Sequence, residues 1–103
     1  MAEYVNVGKL SEFPEGKAQP FLVNEEKVAV VNSEGRLYAF SNECTHVGAD
    51  LTSGYIFGNQ VVCWLHNSVF DMETGERLDG PAFDPLTIYD VRVEGEDVLV
   101  GKK

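Results

Sequence analysis

The sequence has few cations, few cysteines and histidines, and no long apolar run. Its 8 Lys and Arg are outnumbered by 17 Asp and Glu, which leaves a formal net charge of −9 at pH 7. Nucleic acids and anionic lipid surfaces are bound by positively charged protein faces, so this balance argues against both kinds of partner. No apolar run approaches the roughly 18 residues of a membrane-spanning helix, and we therefore expect no association with a membrane.

The first residues also lack the features of a secretory signal. Met1-Ala2-Glu3-Tyr4 has neither the basic start nor the apolar stretch of a signal peptide, so a cytoplasmic protein is expected. The chain has only two cysteines. In a reducing cytosol these are expected to bind metal, act in catalysis or pack in a core rather than form a disulfide.

The length and the hydrophobic pattern together indicate one small all-β domain. The 103 residues are 44% hydrophobic, which is typical of a single globular domain spanning 1–103, and we expect a monomer. Short apolar runs are interrupted by ten Gly and four Pro, which excludes long helices and leaves room for one short helix within 10–16. The predicted strands are 3–7, 27–32, 37–41, 54–57, 60–63, 87–94 and 98–101. They predict a small antiparallel β-sandwich or barrel of about eight to ten strands.

The only cysteines and the only histidines of the chain fall in two pairs. They are Cys44-Thr45-His46 and Cys63-Trp64-Leu65-His66, and each pair lies in a segment that interrupts the strand pattern. The hairpin predicted between them, with its turn at Gly58-Asn59, would bring the two pairs side by side. The spacing therefore predicts a metal site. Two buried thiols and two surface histidines would account for each residue singly, but not for the pairing.

The ligand types leave two kinds of metal centre open. Two Cys and two His suit either tetrahedral zinc or an iron–sulfur cluster. A usual zinc finger takes both cysteines from one segment and both histidines from another, whereas each segment here offers one of each. The Cys-x-His spacing is tight for two ligands of one ion. The strain disappears if the two ligands of a segment bind different metal ions. A [2Fe–2S] cluster with two Cys on one iron and two His on the other has this arrangement.

At this point the sequence resembles a known family, the Rieske-type [2Fe–2S] ferredoxins. The resemblance covers residues 44–89 and includes the two Cys-His pairs, Thr74-Gly75 and Gly80-Pro81-Ala82. It implies the Rieske-type fold, an all-β domain with a cluster-binding subdomain of two loops at approximately 42–83. It also implies the ligands: Cys44 and Cys63 on the inner iron, His46 and His66 on the outer iron. Gly80 and Pro81 would belong to a loop that shields the cluster.

Several positions near the predicted cluster bear on its reduction potential. Relatives of high potential have two more cysteines that join the cluster loops, and the matching positions here are Ala49 and Leu65. Phe70 stands where those relatives have a Tyr that donates a hydrogen bond to a cysteine sulfur, and Phe has no such donor. Ser68 matches a serine that donates to a bridging sulfide, although it could also only cap the loop. We expect a potential at the lower end of roughly −150 to +300 mV, raised somewhat by Ser68. Trp64 would cover the cluster, lie at a docking surface or pack within its loop.

The resemblance implies a protein that carries single electrons and has no substrate chemistry of its own. Electrons would pass from a reductase to the terminal oxygenase of a multicomponent aromatic-ring dioxygenase system, with both partners docking at the His46 and His66 tip. Residues 41–76 contain five acidic residues and no Lys or Arg, which favours electrostatic steering of a basic partner, or a merely solvated surface. The alternatives are the small subunit of an NAD(P)H nitrite reductase, a structural zinc-binding interaction module and a metal-free β-domain. The sequence does not identify the reductase, the oxygenase or the substrate of the pathway.

Overall fold

The computed structural model describes residues 4–42, 51–64, 68–79 and 85–102. Over these ranges the chain forms ten strands and two single-turn 3₁₀ helices, the helices at Leu10–Glu12 and Leu51–Ser53. The strands are β1 (Val5–Lys9), β2 (Ala18–Val23), β3 (Glu26–Ser33), β4 (Arg36–Ser41), β5 (Tyr55–Phe57), β6 (Gln60–Val62), β7 (Val69–Asp71), β8 (Arg77–Asp79), β9 (Ile88–Glu94) and β10 (Asp97–Lys102). The predicted all-β class is confirmed. None of the helices in these ranges is long and apolar enough to cross a membrane.

The strands form two antiparallel sheets. The large sheet has six strands in the order β1-β10-β9-β4-β3-β2, and the small sheet has four in the order β5-β6-β7-β8. Every pair of neighbouring strands is antiparallel. The small sheet lies within the predicted cluster-binding subdomain, so the described part of that subdomain is built on a sheet and not on loops alone.

The sequence predicted the hairpins well and the shortest strands poorly. The two predicted hairpins are β3–β4 and β5–β6, and the predicted strands at 87–94 and 98–101 are β9 and β10. The first strand is shifted to Val5–Lys9, and residue 3 lies outside the described residues. The expected helix within 10–16 is a single 3₁₀ turn, because Pro14 follows it and Glu15 bridges to Asn32.

Three strands were missed. β2 contains Pro20, which is tolerated because β2 is an edge strand of the large sheet. We expected the segment of the second Cys-His pair to interrupt the strand pattern from residue 63 to residue 70, but β7 already begins at Val69, so that expectation was wrong for its last two residues. β8 has three residues, all exposed, and so has no apolar pattern from which it could be predicted.

Strand β3 is buried on both faces and supplies side chains to two cores. Ala29 and Val31 pack in the core between the sheets. Val28 and Val30 point to the opposite face of β3 and pack in a second core with Phe13 and other residues, which we call the core inside the large sheet. We call the first of these the inter-sheet core. Its members are Ala29, Val31, Phe40, Leu51, Val61, Cys63, Phe70, Met72 and Leu86. The large sheet contributes the first three, so it is the platform against which the small sheet packs.

Polar contacts join the turns of the two sheets. The Ser33 hydroxyl donates to the Gly58 carbonyl at 2.7 Å, which connects the β3–β4 turn to the β5–β6 turn. Arg36 Nη2 lies 2.6 Å from Glu73 Oε1, on the turn that follows β7. Within the large sheet, the Glu15 carboxylate accepts from the backbone N–H of Glu34 at 2.6 Å and so holds the β3–β4 turn. The orientation of the small sheet is thus fixed at the end of the molecule opposite Cys63.

Because Tyr89 is buried and its hydroxyl is hydrogen-bonded, we expect the stability of the large sheet to change with pH in the alkaline range. Tyr89 donates to Glu26 Oε2 at 2.9 Å, and burial together with this carboxylate raises its pKa from 10.0 to about 12. A raised pKa favours the folded state below the ordinary value, and this contribution is lost as the pH rises through the raised value. At pH 8 we expect Tyr89→Phe to lower the free energy of unfolding by about 1 kcal/mol, because one hydrogen bond is lost. The difference should shrink between pH 10 and 12 in urea unfolding. A difference that stays constant over this range would contradict the assignment.

Candidate metal centre

Cys63 is the candidate ligand whose surroundings the structure describes. It directly follows Val62, the last residue of β6, and its side chain points inward like that of Val61, two residues before it. The residue is 0% exposed and belongs to the inter-sheet core together with Leu51 and Phe70. A strand therefore delivers this thiol into apolar surroundings from which water is excluded.

The segment that begins at Cys63 is closed by a backbone hydrogen bond. The Cys63 N–H donates to the Ser68 carbonyl at 2.8 Å, so the chain leaves β6 and enters β7 at a fixed separation. Ser68 is 0% exposed. Residues 65–67, which include the predicted ligand His66, lie outside the described residues.

The first predicted segment is held at both of its ends. Asn42 is 3% exposed, its N–H donates to the Lys27 carbonyl at 3.0 Å, and its Oδ1 accepts from the Thr52 N–H at 3.0 Å. Leu51, beside Thr52, is fully buried in the inter-sheet core. Residues 43–50 connect these anchors and include Cys44 and His46, which lie outside the described residues.

After the third predicted segment, Gly80-Pro81-Ala82, the chain also returns to the inter-sheet core. Leu86 is 4% exposed and packs in that core, and its N–H donates to the Gly75 carbonyl at 2.8 Å. Gly80 and Pro81 precede it and lie outside the described residues.

The described residues fit a metal centre of the predicted kind. Each of the three predicted segments is close in sequence to a member of one core: Leu51 follows the first, Cys63 begins the second, and Leu86 comes after the third. The members of that core are apolar, and its one thiol lies at the mouth of a loop, where a thiolate can bind an iron that protein packing screens from water. The full ligand set of Cys44, His46, Cys63 and His66 remains a prediction.

Two aromatic residues near Cys63 have opposite environments. Trp64 is 47% exposed, which places it at the surface rather than within the packing of its loop. Phe70 pairs with Val61 across β6 and β7 and is 0% exposed. Phe70 thus fills the inter-sheet core next to Cys63, and its ring offers no hydroxyl donor there.

Some of the acidic residues in the stretch 41–76 are engaged in hydrogen bonds or an ion pair. Asp71 Oδ1 accepts from the Glu73 N–H at 2.7 Å and from the Thr74 N–H at 3.1 Å, so it caps the turn after β7. Glu73 pairs with Arg36, and its hydrogen bond raises the pKa of that guanidinium. Glu43 and Asp50 lie outside the described residues.

The sequence reasoning missed the residues that shape the backbone around the centre. Asn42 reads as an ordinary turn residue, and only its tertiary hydrogen bonds reveal its place at the base of the first segment. Gly54 sits where β5 starts beside the end of β6, and a Cβ on it would lie 2.1 Å from the Val62 carbonyl oxygen. The Gly directly before an apolar strand was the available signal for this close approach.

Comparison with known proteins assigns the family. The Rieske [2Fe-2S] domain matches residues 3–90 of the chain. The chain belongs to the Rieske [2Fe–2S] domain family. Its prosthetic group is accordingly a Rieske-type [2Fe–2S] cluster.

Two curated relatives of this Rieske chain differ in how much of their own length the chain covers. It is 42% identical over 98 residues to the cytochrome b6-f complex iron-sulfur subunit of Chlorobaculum thiosulfatiphilum, covering 95% of this chain and 53% of that protein. The chain thus spans about half the length of that relative. It is 33% identical over 98 residues to the ferredoxin component of the naphthalene 1,2-dioxygenase system of Pseudomonas aeruginosa, covering 95% of this chain and 94% of that one.

Solved Rieske structures have the same fold. The ferredoxin of carbazole 1,9a-dioxygenase from Nocardioides aromaticivorans IC177 superimposes with a TM-score of 0.92 at 34% identity, over 97% of this chain and 98% of that one. A structure of reduced oxygenase with oxidised ferredoxin in carbazole 1,9a-dioxygenase contains a match with a TM-score of 0.90 at 28% identity, over 97% and 95% of the chains. A Mycobacterium tuberculosis protein assigned as an NADH-dependent nitrite reductase small subunit has a TM-score of 0.91 at 17% identity, over 100% and 97% of the chains, and shares the fold alone.

The close approach at Gly54 gives a test of how the backbone near Cys63 is packed. Gly54→Ala forces the start of β5 away from the Val62 carbonyl, so we expect a loss of about 2–3 kcal/mol in the free energy of unfolding, and less iron bound per chain. The control is Gly16→Ala. Its φ of +77° strains a Cβ, but no described residue beyond its two chain neighbours has an atom within 4 Å of that Cβ, so it should cost only about 1–2 kcal/mol and leave the iron content unchanged. Equal losses in both variants would refute the steric argument.

Proposed function

We propose that the chain is a one-electron carrier that passes electrons from a reductase to the terminal oxygenase of a multicomponent dioxygenase system. The observation that carries this proposal is the likeness to ferredoxin components: 33% identity over 98 residues to that of a naphthalene dioxygenase system, and a TM-score of 0.92 at 34% identity to that of carbazole 1,9a-dioxygenase. The cluster supplies the redox chemistry, which is the gain and loss of a single electron. The chain's own residues hold the cluster, exclude water from it and present it to partners.

The proposed ligands are those predicted from the sequence. Cys44 and Cys63 bind one iron as thiolates, and His46 and His66 bind the other iron as imidazoles. The proposed unit is a single domain over residues 1–103, with a cluster-binding subdomain at approximately 42–83. Its support is the family match over residues 3–90 and the position of Cys63 in the inter-sheet core.

The described residues suit this role by holding the loop ends rigidly. The Asn42 side chain ties the two ends of the first segment together, and the Cys63 N–H to Ser68 carbonyl bond closes the second. A carrier gains from such rigidity because a site that changes little on reduction needs little reorganisation. The inter-sheet core behind Cys63 keeps water away from one side of the site.

The proposed carrier performs no chemistry on a substrate. With four protein ligands and bridging sulfides, both irons are coordinatively saturated, and no position remains for a substrate. With both histidines committed as ligands, the chain has no Cys-His or Ser-His pair for nucleophilic catalysis. The homologues named as ferredoxin components accord with this role.

The proposed partners follow from the relatives. The carbazole dioxygenase ferredoxin has been solved with its oxygenase, and an equivalent oxygenase is the proposed electron acceptor here. The His46 and His66 tip is the proposed point of electron transfer, and the cytoplasm is the proposed compartment. A nitrite reductase subunit is the weaker candidate, since that likeness is of fold alone. Family membership sets aside the zinc module and the metal-free domain.

Metal analysis tests the ligand proposal directly. The purified protein should be red-brown and carry about two iron and two acid-labile sulfide per chain. Cys63→Ala should lose both, because one thiolate ligand is missing. Met72→Leu is the control, since it alters another buried sulfur side chain of the same core but no proposed ligand. A chain that binds one zinc ion would contradict the proposal, as would a Cys63→Ala variant with full iron content.

The buried Ser68 gives a test of how the chain sets the potential. Ser68→Ala should lower the reduction potential by about 40 mV if the hydroxyl donates to a sulfur of the cluster and that bond is roughly 1 kcal/mol stronger in the reduced state. Protein-film voltammetry measures the shift. Ser33→Ala removes a comparably buried hydroxyl, one that bonds the Gly58 carbonyl at the far end of the small sheet, and should leave the potential unchanged. An unshifted potential in Ser68→Ala would reduce that residue to a loop cap.

A further inference from the structure

The outer face of the small sheet carries three exposed aromatic side chains. Tyr55 is 58% exposed, Phe57 is 64% exposed and Trp64 is 47% exposed. We call these three residues the aromatic face. Large aromatic side chains left in water favour contact with another surface, and aromatic residues are enriched in protein interfaces.

The strand register places these side chains on one side. Tyr55 and Phe57 are two residues apart on β5 and stand opposite Val62 and Gln60 of β6. Val61 and Cys63 point into the inter-sheet core, so Val62 and Trp64, which alternate with them, point outward. The aromatic face therefore runs along the outer side of the hairpin toward the end where Cys63 lies.

Among the described residues, the segment that carries the aromatic face lacks two of the usual protections against association, charge and proline. Residues 51–64 contain no charged residue and no proline. β5 is nevertheless an edge strand of the small sheet, and exposed edges are normally blocked by charges, prolines or a covering element. An uncharged aromatic edge is therefore a candidate interface.

The aromatic face is continuous with the metal centre. Trp64 directly follows the buried Cys63, and Tyr55 stands opposite the residue that precedes Cys63. A partner that covers this face is thus brought against the segment that holds a proposed cluster ligand. Contact at this face gives an electron a shorter path between the segment of Cys63 and the partner than contact on the large sheet would.

Charges around the face indicate the kind of partner. Asp71 stands opposite Gln60 and Asp79 stands opposite Val69 on the strands next to the face, while the whole chain carries a net charge of −9. β8 also carries the exposed Arg77, which pairs with Phe70 where the register of β7 and β8 shifts, so two carboxylates stand beside one cation on these strands. A second copy of the chain would bring the two sets of carboxylates together, and a three-residue edge strand offers few backbone hydrogen bonds in return. A basic partner satisfies both the apolar centre and the acidic rim.

We propose that the aromatic face is the apolar centre of a docking surface for a basic electron-transfer protein. The proposal rests on the proposed carrier function and deepens it, since it adds the side chains of β5 to the contact at the His46 and His66 tip. The occupant is a protein with an apolar patch rimmed by Lys and Arg, whose guanidinium groups can stack on the aromatic rings.

The experiment measures electron transfer from the reduced protein to cytochrome c, used as a basic probe. Tyr55→Thr with Phe57→Thr removes both rings and keeps residues that suit a strand. We expect the second-order rate constant at low salt to fall about tenfold, because hot-spot aromatic residues each contribute more than about 1 kcal/mol to binding. Leu22→Thr is the control, because Leu22 is 69% exposed on β2 of the large sheet, and its rate constant should equal that of the wild type.

The readouts separate the two proposals. If the chain carries no iron or sulfide, the carrier function fails. If it carries the cluster and the double variant reduces cytochrome c as fast as the wild type, the docking surface is refuted. Sedimentation velocity of the wild type tests the competing occupant: a dimer that the double variant abolishes would assign the aromatic face to self-association and overturn the proposal. The single variants Tyr55→Thr and Phe57→Thr should each show part of the decrease if the double variant folds poorly.

Discussion

The burial of Cys63 in an apolar core between two sheets is the constraint on which the rest of the molecule depends. A thiolate that binds iron has to be kept from water and from competing partners, yet it must lie near the surface if electrons are to reach it. The chain meets both needs by ending β6 one residue before Cys63, so that the thiol points into the inter-sheet core while the next residue, Trp64, is half exposed. One strand end thus separates a dry interior from a contact surface.

That arrangement needs two sheets held in a fixed relation. β3 supplies Ala29 and Val31 to the inter-sheet core and Val28 and Val30 to the core inside the large sheet, so the two cores share one backbone. At the far end, the Ser33 hydroxyl and the Arg36 guanidinium hold the turns of the small sheet. Interiors packed this closely transmit displacement instead of absorbing it. The loop ends at Asn42 and Ser68 are therefore positioned by packing that begins well away from the metal centre.

Local sequence determines some of this structure and leaves the rest to tertiary contacts. Gly58-Asn59 and the stretch at 33–36 predict their hairpins because turn residues flanked by apolar residues act through neighbouring backbone alone. β2 was hidden by Pro20, and β8 by the lack of any buried side chain, since both strands exist only because a neighbouring strand provides a partner. The ligand types indicated the metal centre because Cys and His are so scarce in the chain. Asn42 could not be found in that way, because its role is a hydrogen bond to Thr52 across the predicted loop.

The charged side chains lie on elements beside the β5–β6 hairpin and not on the hairpin itself. Near its turn, the acidic residues are engaged: Asp71 caps backbone N–H groups and Glu73 pairs with Arg36. Along the hairpin itself, residues 51–64 carry no charge, and rings are exposed instead. Long-range attraction of a cation-bearing partner then comes from the net charge of the whole chain, whereas the contact near Cys63 is made by surfaces that are cheap to desolvate. A carrier that must bind and release partners in turn benefits from this division, because screening by salt weakens the attraction without altering the fit of the contact.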